Sequence, residues 1–167
     1  MQKLRHLKRN FHVCVNSIIK GGNKMTNEEV KGLTAKRIAT NPDPMERFNI
    51  SQGFRVGDVL IVSGQTANNE LGELIGPNDF DAQTKQVFHN LDRVLKAGGA
   101  SLDSVIKVTI YLTDMSYFPK IVELRKQYFS KPYPADTIVE INALASPEFM
   151  IEIEAVALVN GKKVDIE

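Results

Sequence analysis

The chain has one cysteine, no tryptophan and only three histidines. Cys14, His6 and His12 all fall near the start, so the rest of the sequence retains His89 alone. That scarcity excludes a disulfide framework, a cysteine-rich zinc centre and thiol catalysis from everything after the opening segment. Serine–histidine chemistry would rest on His89, which follows Phe88 on an amphipathic stretch and reads as a surface or core-edge residue. No apolar run approaches the roughly 18–20 residues that a membrane-spanning helix needs. Acid is missing too, at one end. Residues 1–27 contain no Asp or Glu, while Lys3, Arg5, Lys8, Arg9, Lys20 and Lys24 are basic. The remaining 15 Lys and Arg then face all 20 acids, a balance of −5 for residues 28–167. A body of that sign is a poor polyanion binder, because nucleic-acid affinity rests on basic groups displacing counterions.

Residues 1–24 form a basic leader that admits three readings: a mitochondrial presequence, a basic arm for a polyanion, or translated sequence upstream of a native start at Met25. Lys20-Gly21-Gly22 can be encoded as a purine-rich ribosome-binding site at bacterial spacing from Met25, which favours the third. A cytoplasmic protein follows from that reading, a mitochondrial one from the first. Residues 25–167 are enough for one domain with a real core and few for two. Their chain's 43% hydrophobic and 25% charged content is that of an ordinary globular protein.

Periodicity orders the body. Thr34–Thr40 suits an edge strand, and Asn41-Pro42-Asp43-Pro44 is turn punctuation. Phe48–Phe54 is a second strand candidate. Val59–Ser63, entered through Gly57-Asp58, reads as a central strand. A loop with Gly72, Gly76 and Pro77 leads to a helix over Phe80–Ala97, capped by Asn78 or Asp79 and stopped at Gly98-Gly99. Val105–Thr113 alternates, with Ile106, Val108, Ile110 and Leu112 on one face. A second helix spans about Ser116–Ser130, with an apolar stripe from Phe118 through Ile121, Val122 and Leu124 to Phe129. Strands at Thr137–Asn142 and Phe149–Val159 complete the series.

The order β-β-β-α-β-α-β-β predicts an α+β fold with one mixed sheet and two helices on one face, joined by right-handed crossovers. In the last strand, Phe149, Ile151, Ile153, Ala155 and Ala157 can lie under those helices. The opposite face, with Met150, Val156 and Leu158 beside Glu152 and Glu154, is too apolar to stay wet. A homo-oligomer follows from that pattern.

Several segments, in order and over residues 48–159, resemble the Rid (YjgF-like) family. Arg55-Val56-Gly57-Asp58 through Ser63-Gly64-Gln65 is similar to its V-G-x-x-φ-φ-φ-S-G-Q segment. Gln83-Thr84-Lys85-Gln86-Val87 with Asn90-Leu91, Gly98-Gly99-Ala100-Ser101, Thr109–Met115 and Ile151–Ala157 match later motifs. The resemblance implies a chorismate-mutase-like homotrimer with small-molecule clefts between subunits, no membrane, and neither metal nor organic cofactor. It further implies hydrolysis of reactive enamines and imines to a keto acid and ammonia. In that family an arginine forks onto the substrate carboxylate and a glutamate helps place the attacking water.

Transferred by position, the glutamate is Glu152, and Ser63, Gly64 and Gln65 stand at the strand end. The arginine position is Asp136, the family tyrosine is Ile50, and the helix asparagine is Val122; Ile138 follows on the same strand. Two like charges about 4 Å apart at an effective dielectric near 20 repel by about 4 kcal/mol. Simple 2-imino carboxylates are therefore poor expected substrates, and Glu152 with Asp136 is the expected catalytic pair. Bland readings stand beside these. Asp136 could be a turn residue or helix-end partner, Glu152 could pair with Lys107, Gly64 could serve only a turn, and Arg125 could supply a compensating charge. The alternatives in function are a non-catalytic small-ligand trimer and, more remotely, an RNA-acting translation inhibitor or endoribonuclease.

Overall fold

The computed structural model describes residues 34–166. The expected basic leader lies outside the described residues, as does the start of the predicted domain. The strands are β1 (Ala35–Ile38), β2 (Gly53–Val56), β3 (Val59–Gln65), β4 (Val105–Leu112), β5 (Ala135–Glu140) and β6 (Ile151–Leu158). The helices are α1 (Phe80–Ala97), between β3 and β4, and α2 (Phe118–Tyr128), between β4 and β5. All six strands form one sheet in the order β1-β2-β3-β6-β4-β5, in which only β4 and β5 pair in parallel. This is the α+β architecture, one mixed sheet with two helices, that the element order predicts, and it agrees with the chorismate-mutase-like fold that the resemblance implies.

Local chemistry explains the helix bounds. Asp79 accepts hydrogen bonds from the backbone N–H groups of Asp81 and Ala82, satisfying two donors left free at the start of α1. At the other end Gly98 donates back to the carbonyls of Val94 and Leu95. Asp114 caps a 3₁₀ turn over Met115–Tyr117 that leads into α2, with Pro119 in the first turn, where no N–H is required. The helices meet through Phe88 and Tyr128, whose rings stack at 3.9 Å.

The core lies between the helices and one sheet face. Leu60 and Val62 of β3, Val108 and Ile110 of β4, and Ile151 and Ile153 of β6 are buried there against Val87, Leu91, Leu95 and Ile121. The last strand alternates as expected, with every odd position from Ile151 to Ala157 buried and every even one half-buried. On the face away from the helices, Phe54, Ile61 and Val139 are 40%, 51% and 36% exposed. Register places Phe54 opposite Ile61, and Ile61 opposite Val156.

Four sequence expectations need correction. Phe48–Phe54 is not a strand: Glu46–Phe48 forms a 3₁₀ turn closed by Asn49 at φ 59, and β2 starts only at Gly53. Asn tolerates that left-handed conformation, so the chain turns where alternation alone suggested extension. Ile106 is not on the buried face. The register of β4 against β6 slips between Val105 and Lys107, so Val105 takes the core position and Ile106 is displaced. The stripe of α2 is narrower than predicted: Ile121 is the one residue buried within the helix, Phe129 is buried just beyond its end, and Phe118 is 40% exposed. Finally β5 begins at Ala135 rather than Thr137, which puts Asp136 inside the sheet.

Candidate functional site

A second register slip shapes the site. Between Val62 and Gln65, β3 carries one more residue than β6, so Ser63 and Gly64 form a bulge at the strand end. Ser63 is tied down there: its hydroxyl donates to the Ser51 carbonyl at 2.7 Å and its N–H to that of Gln52 at 3.0 Å. The buried Gln65 amide donates to the Ser63 carbonyl at 2.9 Å, closing the bulge. These residues are a frame. Neither side chain is free to act as a nucleophile.

The bulge makes room for Glu152. A Cβ on Gly64 would overlap the Glu152 carboxylate, whose Cδ lies 2.7 Å from that position. Gly64 is therefore needed for the close approach of this side chain, and a strand-end turn does not account for it. On the far side, Gln83 of α1 is fully buried and spans two loops. Its amide donates to the carbonyls of Gly76 and Glu148, and its oxygen accepts from the Met150 N–H at 2.9 Å. That clamp fixes the chain just ahead of Glu152.

Glu152 has no cationic partner among the described residues. Lys107 does not reach it; its ammonium donates to the Val108 carbonyl and to Thr137 Oγ1, the latter at 3.0 Å. Burial raises the Glu152 pKa above the ordinary carboxylate value, and the nearby Glu154 charge adds to the rise. Tyr111 is pushed up as well, by burial and by Glu154, to which its hydroxyl donates at 3.4 Å.

Glu152, Gly64, Ser63, Gln65 and Ile50 all line one cleft of about 630 Å³. Arg47, Phe48, Glu148 and Phe149 line it too. Sequence reasoning passed over these four. Arg47 and Phe48 sit on the 3₁₀ turn, of which only Phe48 falls in the expected strand, and Glu148 lies in an irregular loop.

Asp136, Val122 and Ile138 do not line the cleft. Asp136 is opposite Val108, and Val108 is opposite Ala155, both buried against the helices. Its side chain therefore points to the helix face, whereas Glu152 points to the other. The two carboxylates form no pair within the chain. Asp136 instead accepts a hydrogen bond from Arg125 Nε of α2 at 2.7 Å, with side-chain exposures of 18% and 23%. That guanidinium also lies 5.7 Å from the Phe118 ring centre. The repulsion expected from a lone Asp136 is accordingly offset by its own partner.

Among the described residues no cluster of His, Cys, Asp and Glu is arranged to hold a metal ion, and no helix is long and apolar enough to cross a membrane.

Comparison with known proteins fits this geometry. The family model described as Endoribonuclease L-PSP matches residues 39–159. A RutC family protein of Pyrococcus abyssi is 40% identical over 121 residues, which are 72% of this chain and 94% of the relative. A 2-iminobutanoate/2-iminopropanoate deaminase of Dermatophagoides farinae is 32% identical over 130 residues, 76% of this chain and 99% of the relative. Among solved structures, RidA from an Antarctic Psychrobacter superposes with a TM-score of 0.67 at 34% identity, over 74% of this chain and 98% of that one. The chain belongs to the endoribonuclease L-PSP family, the family of the RutC, YjgF and Rid proteins.

Proposed function

We propose that the chain is an imine/enamine deaminase-type hydrolase whose working carboxylate is Glu152. The observation that carries this reading is a carboxylate without a cationic partner among the described residues, held in the notch at Gly64 and facing a cleft of ligand size. A carboxyl whose pKa is raised by burial is a better proton acceptor than an ordinary carboxylate. Glu152 takes a proton from a water as the oxygen adds to the C=N carbon, and returns it to nitrogen. Collapse of the resulting aminoalcohol expels ammonia and leaves a carbonyl group. An enamine enters the same course after tautomerising to the imine. The relative named as a deaminase of 2-iminobutanoate supports the reaction class.

The substrate is proposed to differ from a simple 2-imino carboxylate. A free guanidinium gives a forked pair of hydrogen bonds to a carboxylate, and Asp136 cannot do so. A homotrimer is part of the same proposal. Val122, Asp136 and Ile138 lie away from the cleft, so they can join it only from a neighbouring chain. The bare apolar sheet face, with Phe54, Ile61 and Val139, supplies a surface for that contact.

A non-catalytic ligand-binding trimer is the second reading, favoured by the Arg125–Asp136 pair standing where the resemblance expects a free arginine. An RNA-acting role, suggested by the family's description, has the −5 balance of residues 28–167 against it. The deciding assay generates 2-iminobutanoate and longer imines in situ and follows keto-acid and ammonia release. Acceleration by the wild type on any of them, lost on Glu152→Gln, carries the hydrolase reading. Rates equal to the uncatalysed ones throughout would leave ligand binding as the function.

A further inference from the structure

Arg47 is a cation in the cleft that the proposed chemistry leaves unused. It sits on the 3₁₀ turn Glu46–Phe48, and its guanidinium lies over the Phe48 ring, 4.7 Å from its centre. A second glycine shapes its seat. A Cβ on Gly72, which is at φ +82, would overlap this guanidinium, with Arg47 Cζ 2.7 Å away. So the cleft holds two notches, Gly64 receiving a carboxylate and Gly72 receiving a guanidinium. The other lining cation, Arg93, is already bound to Glu70 at 3.1 Å. Among the described residues Arg47 has no carboxylate within ion-pair distance, and its one hydrogen bond is a 3.4 Å contact to the Gly72 carbonyl. A guanidinium has five N–H donors, so most of its capacity is free.

We propose that Arg47 is the anion-recognition residue of this cleft, and that the cleft takes a small molecule with an acidic group at one end and a nitrogen function at the other. The acidic end docks on Arg47, the nitrogen end reaches Glu152, and an apolar body rests on Phe48, Ile50 and Leu74. The cleft volume of about 630 Å³ lies in the middle of the range for organic ligands and exceeds what a short imino acid fills. The lining carboxylates Glu148 and Glu152 disfavour a dianion, which fits a single acidic group at the Arg47 end. This assignment rests on the hydrolase reading for the role of the nitrogen end, but anion recognition by Arg47 stands or falls without turnover.

The test is a binding measurement on the full chain, using as probes ε-aminocaproate and its amide, which keeps the ammonium and lacks only the carboxylate charge. Calorimetry or NMR titration would compare both on the wild type, Arg47→Gln, Arg47→Lys and Arg125→Gln. A charge-assisted hydrogen bond predicts that the wild type binds the acid about 10- to 100-fold more tightly than the amide. That preference should vanish in Arg47→Gln, survive in part in Arg47→Lys, and be unchanged in Arg125→Gln. Thermal melts of the variants matching the wild type confirm that folding is retained. Equal binding of acid and amide by the wild type, no binding of the acid, or a preference that survives Arg47→Gln would each overturn the proposal. Transfer of the preference to Arg125 would do the same. Loss of keto-acid release in the separate turnover assay, with the acid preference intact, would sink only the hydrolase reading.

Discussion

Glu152 and Asp136 are carboxylates of the same sheet, two strands apart, and their surroundings differ in every respect that matters to chemistry. Glu152 is on the face away from the helices, beside the bulge of β3, with no cation among the described residues to neutralise it. Asp136 is on the helix face of an edge strand and is bonded to Arg125 at 2.7 Å. The first carries a raised pKa through burial and the Glu154 charge. The second is half of an ion pair that ties α2 to β5. An uncompensated carboxylate in a cleft is costly to keep, and that cost marks a group held for something other than stability. A paired carboxylate at a sheet edge needs no such explanation.

The contrast breaks most visibly in turnover. Glu152→Gln removes the proton acceptor while keeping shape, and should lower the rate of keto-acid release by about 10²- to 10⁴-fold. Asp136→Asn, measured in parallel, should change it far less. A comparable loss from both would mean that Asp136 also serves the reaction. Gly64→Ala comes next. Its backbone is outside the left-handed region, so alanine is tolerated there, but the added methyl group displaces the Glu152 carboxylate. A misplacement of that order costs about 10²-fold in rate. A Gly64→Ala variant as active as the wild type would show that the notch has no part in positioning Glu152.

The same contrast shows what could be read from sequence. Alternation placed Ile151 and Ile153 under the helices and Glu152 opposite, because period two needs nothing beyond the strand itself. The helix bounds of α1 were legible for the same reason, since Asp79 and Gly98-Gly99 are local signals. The bulges were not. Each adds a residue to one strand relative to its partner, and only the pairing reveals it. The slip at Val105–Lys107 moved Ile106 out of the core, and the one at Ser63-Gly64 built the seat for Glu152. Arg47 was hidden because a 3₁₀ turn of three residues has no periodicity to recognise. Arg125 was weighed only as a compensating charge, since its distance from Asp136 depends on how α2 lies across β5.

The role of Asp136 can be sharpened through Arg125. Asp136→Arg alone sets two guanidinium groups against each other, and Arg125→Asp alone sets two carboxylates together. Combining them restores a pair with the charges exchanged. A double-mutant cycle on the denaturation midpoints should give a coupling of about 1 kcal/mol or less, the range for pairs reached by solvent. The exchanged double variant also places a guanidinium on β5. If it alone gained hydrolysis of 2-iminobutanoate, the acidic residue at this position would be what separates the chain from deaminases of short imino acids. Coupling near zero would reduce the pair to a surface contact.

The smallest effect is on stability, and its sign distinguishes a functional carboxylate from a structural one. Glu152 holds its proton to higher pH in the folded chain than in the unfolded one, first through desolvation and then through Glu154. The folded state therefore binds more protons across the window from the ordinary glutamate pKa up to the raised one. Stability falls as pH rises through that window and levels off above it. Because Glu152 is only half-buried, solvent screening leaves an effect on the order of tenths of a kcal/mol. Glu152→Gln cannot ionise, so its melting temperature should equal or exceed that of the wild type near neutral pH, with the difference shrinking towards acid. A structural ion pair would give the reverse slope, with the variant losing stability as pH rises. Melting curves of both proteins across that range therefore decide whether Glu152 is kept in the cleft against stability or because of it.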